Sequence, residues 1–167
     1  AMADGTGANL PELAVGGFGS NAVLVIRQAE RMRPTPAVDP LELRLDVPGT
    51  VEAPRGAWAV TAEGPISKPA SISSDKDKVV VDASGIGAQL LVRYRRPGDR
   101  LQPLGAPGSR KVQDVLVDRK VPRDDRDILP IVTTVSGEIV WVAGEVLADR
   151  FRVTPLTRSV VVLTLRR

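Results

Sequence analysis

Basic side chains are concentrated between residues 91 and 126, and one serine lies among them. These residue types are suited to binding phosphate rather than to catalysing a reaction. This stretch holds ten basic and five acidic side chains. A guanidinium group can donate two hydrogen bonds to the oxygens of one phosphate. A cluster of positive charge favours an anionic partner, and nucleic acid is the first candidate. The alternative is a solvated face whose charges form local ion pairs. The candidate binding residues are Arg93, Arg95, Arg96, Arg100, Ser109, Arg110, Lys111, Arg119, Lys120 and Arg126.

Catalytic chemistry is restricted by composition, because the sequence contains no Cys and no His. A thiolate nucleophile, a disulfide framework, a Ser-His-Asp triad and a zinc site built from Cys or His are therefore excluded. Carboxylates alone could still hold Mg or Ca, but no acidic pair is marked out by its context. We predict that this chain contributes no catalytic residue, no metal site and no cofactor site.

The segment Gly105-x-x-Gly108-Ser109-Arg110-Lys111 places two glycines, a hydroxyl and two cations before a predicted helix at residues 110–117. Ser109 is predicted to be its N-cap, and free N–H groups at a helix start are suited to phosphate. The spacing is not that of a Walker A loop. An ordinary capped loop with no ligand is the alternative.

Short β-branched and alternating runs separated by Pro and Gly predict a strand-rich fold. The fold class is α+β, a mostly antiparallel sheet with one or two short helices between residues 109 and 129. Trp141, within an apolar run, is predicted to lie in the core. The predicted strands are at residues 22–27, 41–47, 51 onward, 58–62, 79–82, 89–95, 131–134, 139–142 and 160–165.

Three portions are predicted along the 167-residue chain: a disordered lead at residues 1–9, a β-rich portion at 10–90 and a basic module at 91–167. The lead starts with a tripeptide typical of a cloning remnant. The patterns leave open whether 41–90 and 91–167 share one sheet. With no long apolar run and no signal peptide, we expect no membrane association and a cytoplasmic location. The oligomeric state is not predicted.

Several motifs occur in order across residues 91–155 and resemble the C-terminal domain of bacterial tRNA(Ile)-lysidine synthases. The first is the run from Val92 to Arg100, which contains Pro97-Gly98-Asp99, followed by Leu104-Gly105. The others are Ser109-Arg110-Lys111, Asp118-Arg119-Lys120-Val121-Pro122, Arg126 with Pro130, residues 139–144 (IVWVAG) and residues 149–154 (DRFRVT). The fold implied is the α+β domain shared with a domain of the phenylalanyl-tRNA synthetase β-subunit.

The resemblance also implies a function and partners. Lysidine synthases are ligases that use ATP, with Mg, and lysine to convert cytidine 34 of tRNA(Ile) to lysidine, on an N-terminal PP-loop domain. The Ser-Gly-Gly-x-Asp-Ser motif of that domain is absent from this sequence. The chain is then expected to be catalytically inactive, to hold the tRNA body at the acceptor stem, and to work with the N-terminal domain of the same enzyme. A protein-interaction or dimerisation module and an editing-hydrolase-like domain are the alternatives.

Overall fold

Alternation of apolar and polar residues shapes the first strand of the computed structural model, which describes residues 41–167. Leu45 is fully buried in strand β1 (Glu42–Asp46), whereas Glu42, Arg44 and Asp46 are exposed. Successive side chains of a strand point to opposite faces, so the alternation leaves one face for the core. The predicted half-buried strand at residues 41–47 is therefore confirmed.

Ten further strands follow along the described part of the chain, and every pairing between strands is antiparallel. Three sheets result, with the orders β10-β9-β8-β5-β1, β2-β3-β11-β4 and β6-β7. The strands are β2 (Gly49–Glu52), β3 (Ala59–Ser67), β4 (Lys78–Asp82), β5 (Gln89–Arg93), β6 (Arg100–Leu101), β7 (Arg110–Lys111), β8 (Ile131–Thr134), β9 (Ile139–Val142), β10 (Val146–Leu147) and β11 (Ser159–Arg166).

Both large sheets combine early and late strands of the chain. In the five-stranded sheet β5 pairs with β1 and β8, and in the four-stranded sheet the C-terminal β11 lies between β3 and β4. One hydrophobic cluster contains side chains from both sheets, among them Val60, Leu90 and Trp141. Trp141 is 1% exposed, which confirms its predicted place in the core.

Two short helices, α1 (Val112–Asp118) and α2 (Arg123–Arg126), lie between β7 and β8. Val112, Val115 and Leu116 of α1 are buried, at the i, i+3, i+4 spacing of an amphipathic helix. The expected α+β class, with a mostly antiparallel sheet and two short helices, is confirmed. None of the helices within residues 41–167 is long and apolar enough to cross a bilayer.

The prediction that Ser109 caps the helix is wrong. Arg110 and Lys111 form a strand that pairs with β6, so α1 begins only at Val112, with Lys111 as the N-cap residue and no side-chain cap. The strand predicted at 89–95 ends at residue 93, where the chain enters the Pro97–Asp99 turn. The predicted lead at 1–9 and the predicted strand at 22–27 lie outside the described residues.

Candidate nucleic-acid interface

Strands β6 and β7 form a two-stranded ribbon that brings two cations together. Arg100 lies directly opposite Lys111, and Leu101 lies opposite Arg110. Residues opposite each other in an antiparallel pair project from the same face, so Arg100 and Lys111 share one face. Leu101 is 5% exposed and attaches the ribbon to the core.

The charges of Arg100 and Lys111 have no carboxylate partner within residues 41–167. The guanidinium of Arg100 instead donates to the Ser109 hydroxyl and to the Ser109 carbonyl oxygen, both at 3.3 Å. Two like charges facing each other on a ribbon are unfavourable without a counter-ion. This face is therefore suited to an anion such as a phosphate, and Ser109 orients the arginine rather than capping a helix.

Arg93 has a structural contact instead of a free guanidinium. It is 5% exposed and forms a bidentate pair with Asp99, with both N–O distances at 2.9 Å. A further N–H of Arg93 donates to the Tyr94 carbonyl oxygen. The second carboxylate oxygen of Asp99 also accepts the backbone N–H of Arg96 at 2.7 Å. Arg93 is therefore poorly placed to bind phosphate, because its side chain is buried and its terminal N–H groups already donate to Asp99 and to the Tyr94 carbonyl oxygen.

Three other predicted arginines have acidic partners. Arg95 is half-buried against Asp127, Arg96 pairs with Glu42 at 2.8 Å, and Arg110 pairs with Asp118 at 2.6 Å. Arg96 and Arg110 are about half exposed in these pairs. Exposed pairs are worth less than about 1 kcal/mol, so a phosphate could displace either carboxylate.

The C-terminal end of α1 carries the next pair of predicted residues, Arg119 and Lys120. The Val121 N–H donates to the Leu116 carbonyl and the Lys120 N–H to the Val117 carbonyl, at 3.0 and 2.9 Å. This is a Schellman ending, which requires a left-handed residue, and Lys120 occupies that position with φ of 59°. Both cations are exposed and have no carboxylate partner within the described part of the chain.

Arg126, the last predicted residue, links the two helices. Its Nε donates to the Val121 carbonyl oxygen at 2.8 Å, and its side chain is half-buried. The guanidinium therefore fixes α2 against the end of α1, and its terminal N–H groups have no acidic partner among residues 41–167. Arg123, which the sequence reasoning did not select, is exposed on the same short helix and is likewise unpaired in that range.

One backbone N–H of the glycine loop, where the sequence predicts a phosphate site, already has a protein acceptor. The Gly105 N–H donates to the Asp149 carboxylate at 3.0 Å, and Asp149 in turn donates its own N–H to the Gln102 carbonyl. The Gly105 amide lowers the pKa of the Asp149 carboxyl below its ordinary value, because it stabilises the charged form. This loop is therefore anchored to the 149–151 turn, and its amide is not free for a ligand.

A cavity of about 470 Å³ beside the end of α1 was missed by sequence reasoning. Its lining includes Trp58, Tyr94, Arg119, Lys120 and Pro122. The rings of Trp58 and Tyr94 meet edge to face, with centroids 6.2 Å apart. Aromatic side chains 36 positions apart carry no sequence signal that they meet, so only the fold reveals this wall.

Residues 90–163 match the family model of the TilS substrate C-terminal domain. The tRNA(Ile)-lysidine synthase of Symbiobacterium thermophilum is 46% identical over 124 residues, 72% of this chain and 25% of that protein. Over residues 90–163 the chain is therefore similar to the TilS substrate C-terminal domain family. This confirms the expected resemblance. The chain spans about a quarter of the length of this curated relative.

One solved structure agrees with this similarity. A crystal structure of a TilS C-terminal domain superposes with a TM-score of 0.62 and 29% identity, covering 75% of this chain and 97% of that chain. An N-terminal fragment of the phenylalanyl-tRNA synthetase β-subunit from Pyrococcus horikoshii gives a TM-score of 0.47 at 16% identity, over 53% of this chain and 27% of that one. That second likeness is too weak to support an inference about function.

Proposed function

We propose that this chain is the tRNA-binding C-terminal portion of a tRNA(Ile)-lysidine synthase. The family of residues 90–163 supports the parent enzyme, and the unpaired cations support the RNA-binding role. The observation that carries the proposal is the pairing of Arg100 with Lys111 on one ribbon face, with no carboxylate partner for either charge among residues 41–167. Contacts of this kind position a nucleic-acid backbone, and shape then supplies much of the discrimination.

The unpaired cations are distributed along one continuous piece of chain. Lys111 precedes α1 and Arg119 follows it, so the helix separates them by roughly 12 Å at 1.5 Å per residue. A backbone that passes along α1 could meet both ends. Six side chains of the basic segment remain without an acidic partner within residues 41–167: Arg100, Lys111, Arg119, Lys120, Arg123 and Arg126.

The chemistry belongs to a domain that is not in this sequence. In the proposed parent enzyme an N-terminal PP-loop domain uses ATP, with Mg, and lysine to convert cytidine 34 of tRNA(Ile) to lysidine. The present chain then grips the tRNA body at the acceptor stem while the anticodon reaches that distant site, and it is inactive alone. No group of three Asp or Glu side chains within residues 41–167 is arranged to hold a metal ion.

Binding of the full chain to an isoleucine tRNA at several salt concentrations tests the RNA-binding role. If about six phosphates are contacted, the log of the association constant should fall against the log of the salt concentration with a slope of about −4 to −5. Binding that is independent of salt, or no binding at high protein concentration, would contradict the proposal.

A double variant, Arg100→Ala with Lys111→Ala, connects that slope to the ribbon. Removing two phosphate contacts should make the slope shallower by about 2 and weaken binding similarly for different RNA sequences. Arg44→Ala is the matched control, because Arg44 is also exposed and unpaired within the described residues but lies on β1, outside the basic segment. The control should leave both the affinity and the slope nearly unchanged.

A further inference from the structure

The cavity at the end of α1 combines an aromatic wall, whose two rings meet edge to face, with cationic side chains. Trp58 and Tyr94 form the aromatic part, and Pro122 adds a rigid apolar surface. Arg119 and Lys120 lie at the same cavity without carboxylate partners in the described range. A volume of about 470 Å³ falls within the range of small-molecule sites. The cavity thus offers contacts for a planar group attached to an anion.

Lys120 is held in a backbone conformation that disfavours a lysine. Its φ of 59° is the left-handed region, where glycine is the usual residue at a helix end. Non-glycine residues in this region are strained, and strained residues cluster at active sites, ligand clamps and switch regions. The helix end would be more stable with glycine at this position. Ending the helix therefore does not explain why the position carries an ammonium group.

The aromatic wall and the acidic groups at the cavity can distinguish a base from a simple anion. The indole Nε1 of Trp58 is shielded from solvent and has no hydrogen-bond partner within residues 41–167. A buried donor without a partner is unfavourable, and a ligand acceptor could offset that cost if the ring turns toward the cavity. Asp125 and Glu145 also line the cavity, and carboxylates accept from the exocyclic amino groups of bases.

We infer that this cavity receives one unpaired nucleotide of the bound RNA. The base would stack on one ring of the Trp58 and Tyr94 wall, and Arg119 and Lys120 would contact the adjoining phosphates. Unpaired bases are recognised in RNA by stacking on aromatic rings and by hydrogen bonds to their edges, whereas helical stems are gripped through the backbone. This inference rests on the proposed RNA-binding function and adds a single-stranded element to it.

The test compares a blunt RNA hairpin with the same hairpin carrying a single-stranded extension at its 3′ or its 5′ end. If one base stacks in the cavity, one of the extensions should raise the affinity of the full chain about tenfold.

The fluorescence emission of Trp58 is the second readout. The chain has two tryptophans, so Trp141→Phe leaves Trp58 alone, and in the wild-type chain the buried Trp141 contributes a constant background. The extension that binds more tightly should change that emission, and the blunt hairpin should not.

The variant Lys120→Gly separates a ligand contact from a structural role. Relief of the left-handed strain should raise the melting temperature by about 2–4 °C, while the affinity gain from the extension should fall to less than half. If Lys120 had a purely structural role, Lys120→Gly would lower both the melting temperature and the affinity gain from the extension. Arg44→Ala again serves as the control for the loss of one exposed positive charge.

The outcomes distinguish this inference from the proposed function. If both hairpins bind with salt-dependent affinity but neither extension adds affinity or changes Trp58 emission, the cavity does not take a nucleotide and the RNA-binding role stands. If neither hairpin nor tRNA binds, both proposals fail. A stabilised Lys120→Gly chain that keeps the whole affinity gain would overturn the role of Lys120.

Discussion

The buried pair between Arg93 and Asp99 leads to the sharpest stability prediction. The Arg93 side chain is 6% exposed and the Asp99 side chain 12% exposed. Asp99→Ala would leave the guanidinium buried without its counter-charge, and removal of one partner of a buried pair costs about 3–5 kcal/mol. We take about 3 kcal/mol for this step, because Asp99 retains some contact with solvent. Loss of the acceptor for the Arg96 N–H adds about 1 kcal/mol.

Urea unfolding of the full chain measures this effect. With a slope of about 2 kcal/mol/M, a loss of about 4 kcal/mol lowers the unfolding midpoint by about 2 M. The matched control is Asp118→Ala, which breaks the Arg110–Asp118 pair, whose side chains are 45% and 59% exposed. That change should cost less than about 1 kcal/mol.

A double variant identifies the cause of the loss. Arg93→Met combined with Asp99→Ala removes the buried charge as well as its partner, so it should be more stable than Asp99→Ala alone. The reasoning is refuted if Asp99→Ala costs no more than Asp118→Ala, or if the double variant is the less stable of the two. In either case Arg93 would not depend on Asp99 for its burial.

Three further predictions concern the two sheets. Thr157→Val should raise the pKa of Asp82, measured by NMR titration, because the Thr157 hydroxyl is the main group that lowers it. The stability that this contact adds is present above the ordinary carboxyl pKa and is lost as the pH falls through the lower native pKa, so variant and wild type should converge in acid. Trp141→Ala should cost about 3–5 kcal/mol in urea unfolding, since the ring is buried. Gly64→Ala should lower the melting temperature by several degrees, because φ is 125° and a Cβ would lie 2.7 Å from the Val160 carbonyl oxygen.

Periodic patterns predicted most elements within residues 41–167 because their period is set by local geometry. Alternation located β1, and the spacing of Val112, Val115 and Leu116 located the buried side of α1. The start of α1 could not be predicted in this way. Ser109 is a good cap by residue type, but pairing of β7 with β6 keeps the chain extended for two more residues. A tertiary contact thus overrides the local preference for a cap.

The end of α1 illustrates a second limit of local signals. Glycine is the common sign of a Schellman ending, and here Lys120 takes the left-handed position instead. The remaining signal is apolar, because Leu116 and Val121 are both buried where the motif brings them together. Neither this ending nor the Trp58 and Tyr94 wall follows from composition, because both depend on which distant side chains the fold brings together.

The basic segment shows why net charge does not locate an interface. Its excess of positive charge is spread over ten side chains, but folding pairs four of them with carboxylates, and the partners are 6 to 54 positions away. Arg93 and Arg100 are equivalent in sequence terms, yet one is neutralised inside the protein and the other faces Lys111. The quantity that matters for RNA is the charge that remains unpaired after folding. Within the described residues that charge is concentrated on the ribbon and at the end of α1, and this distribution makes the salt dependence of binding the decisive measurement.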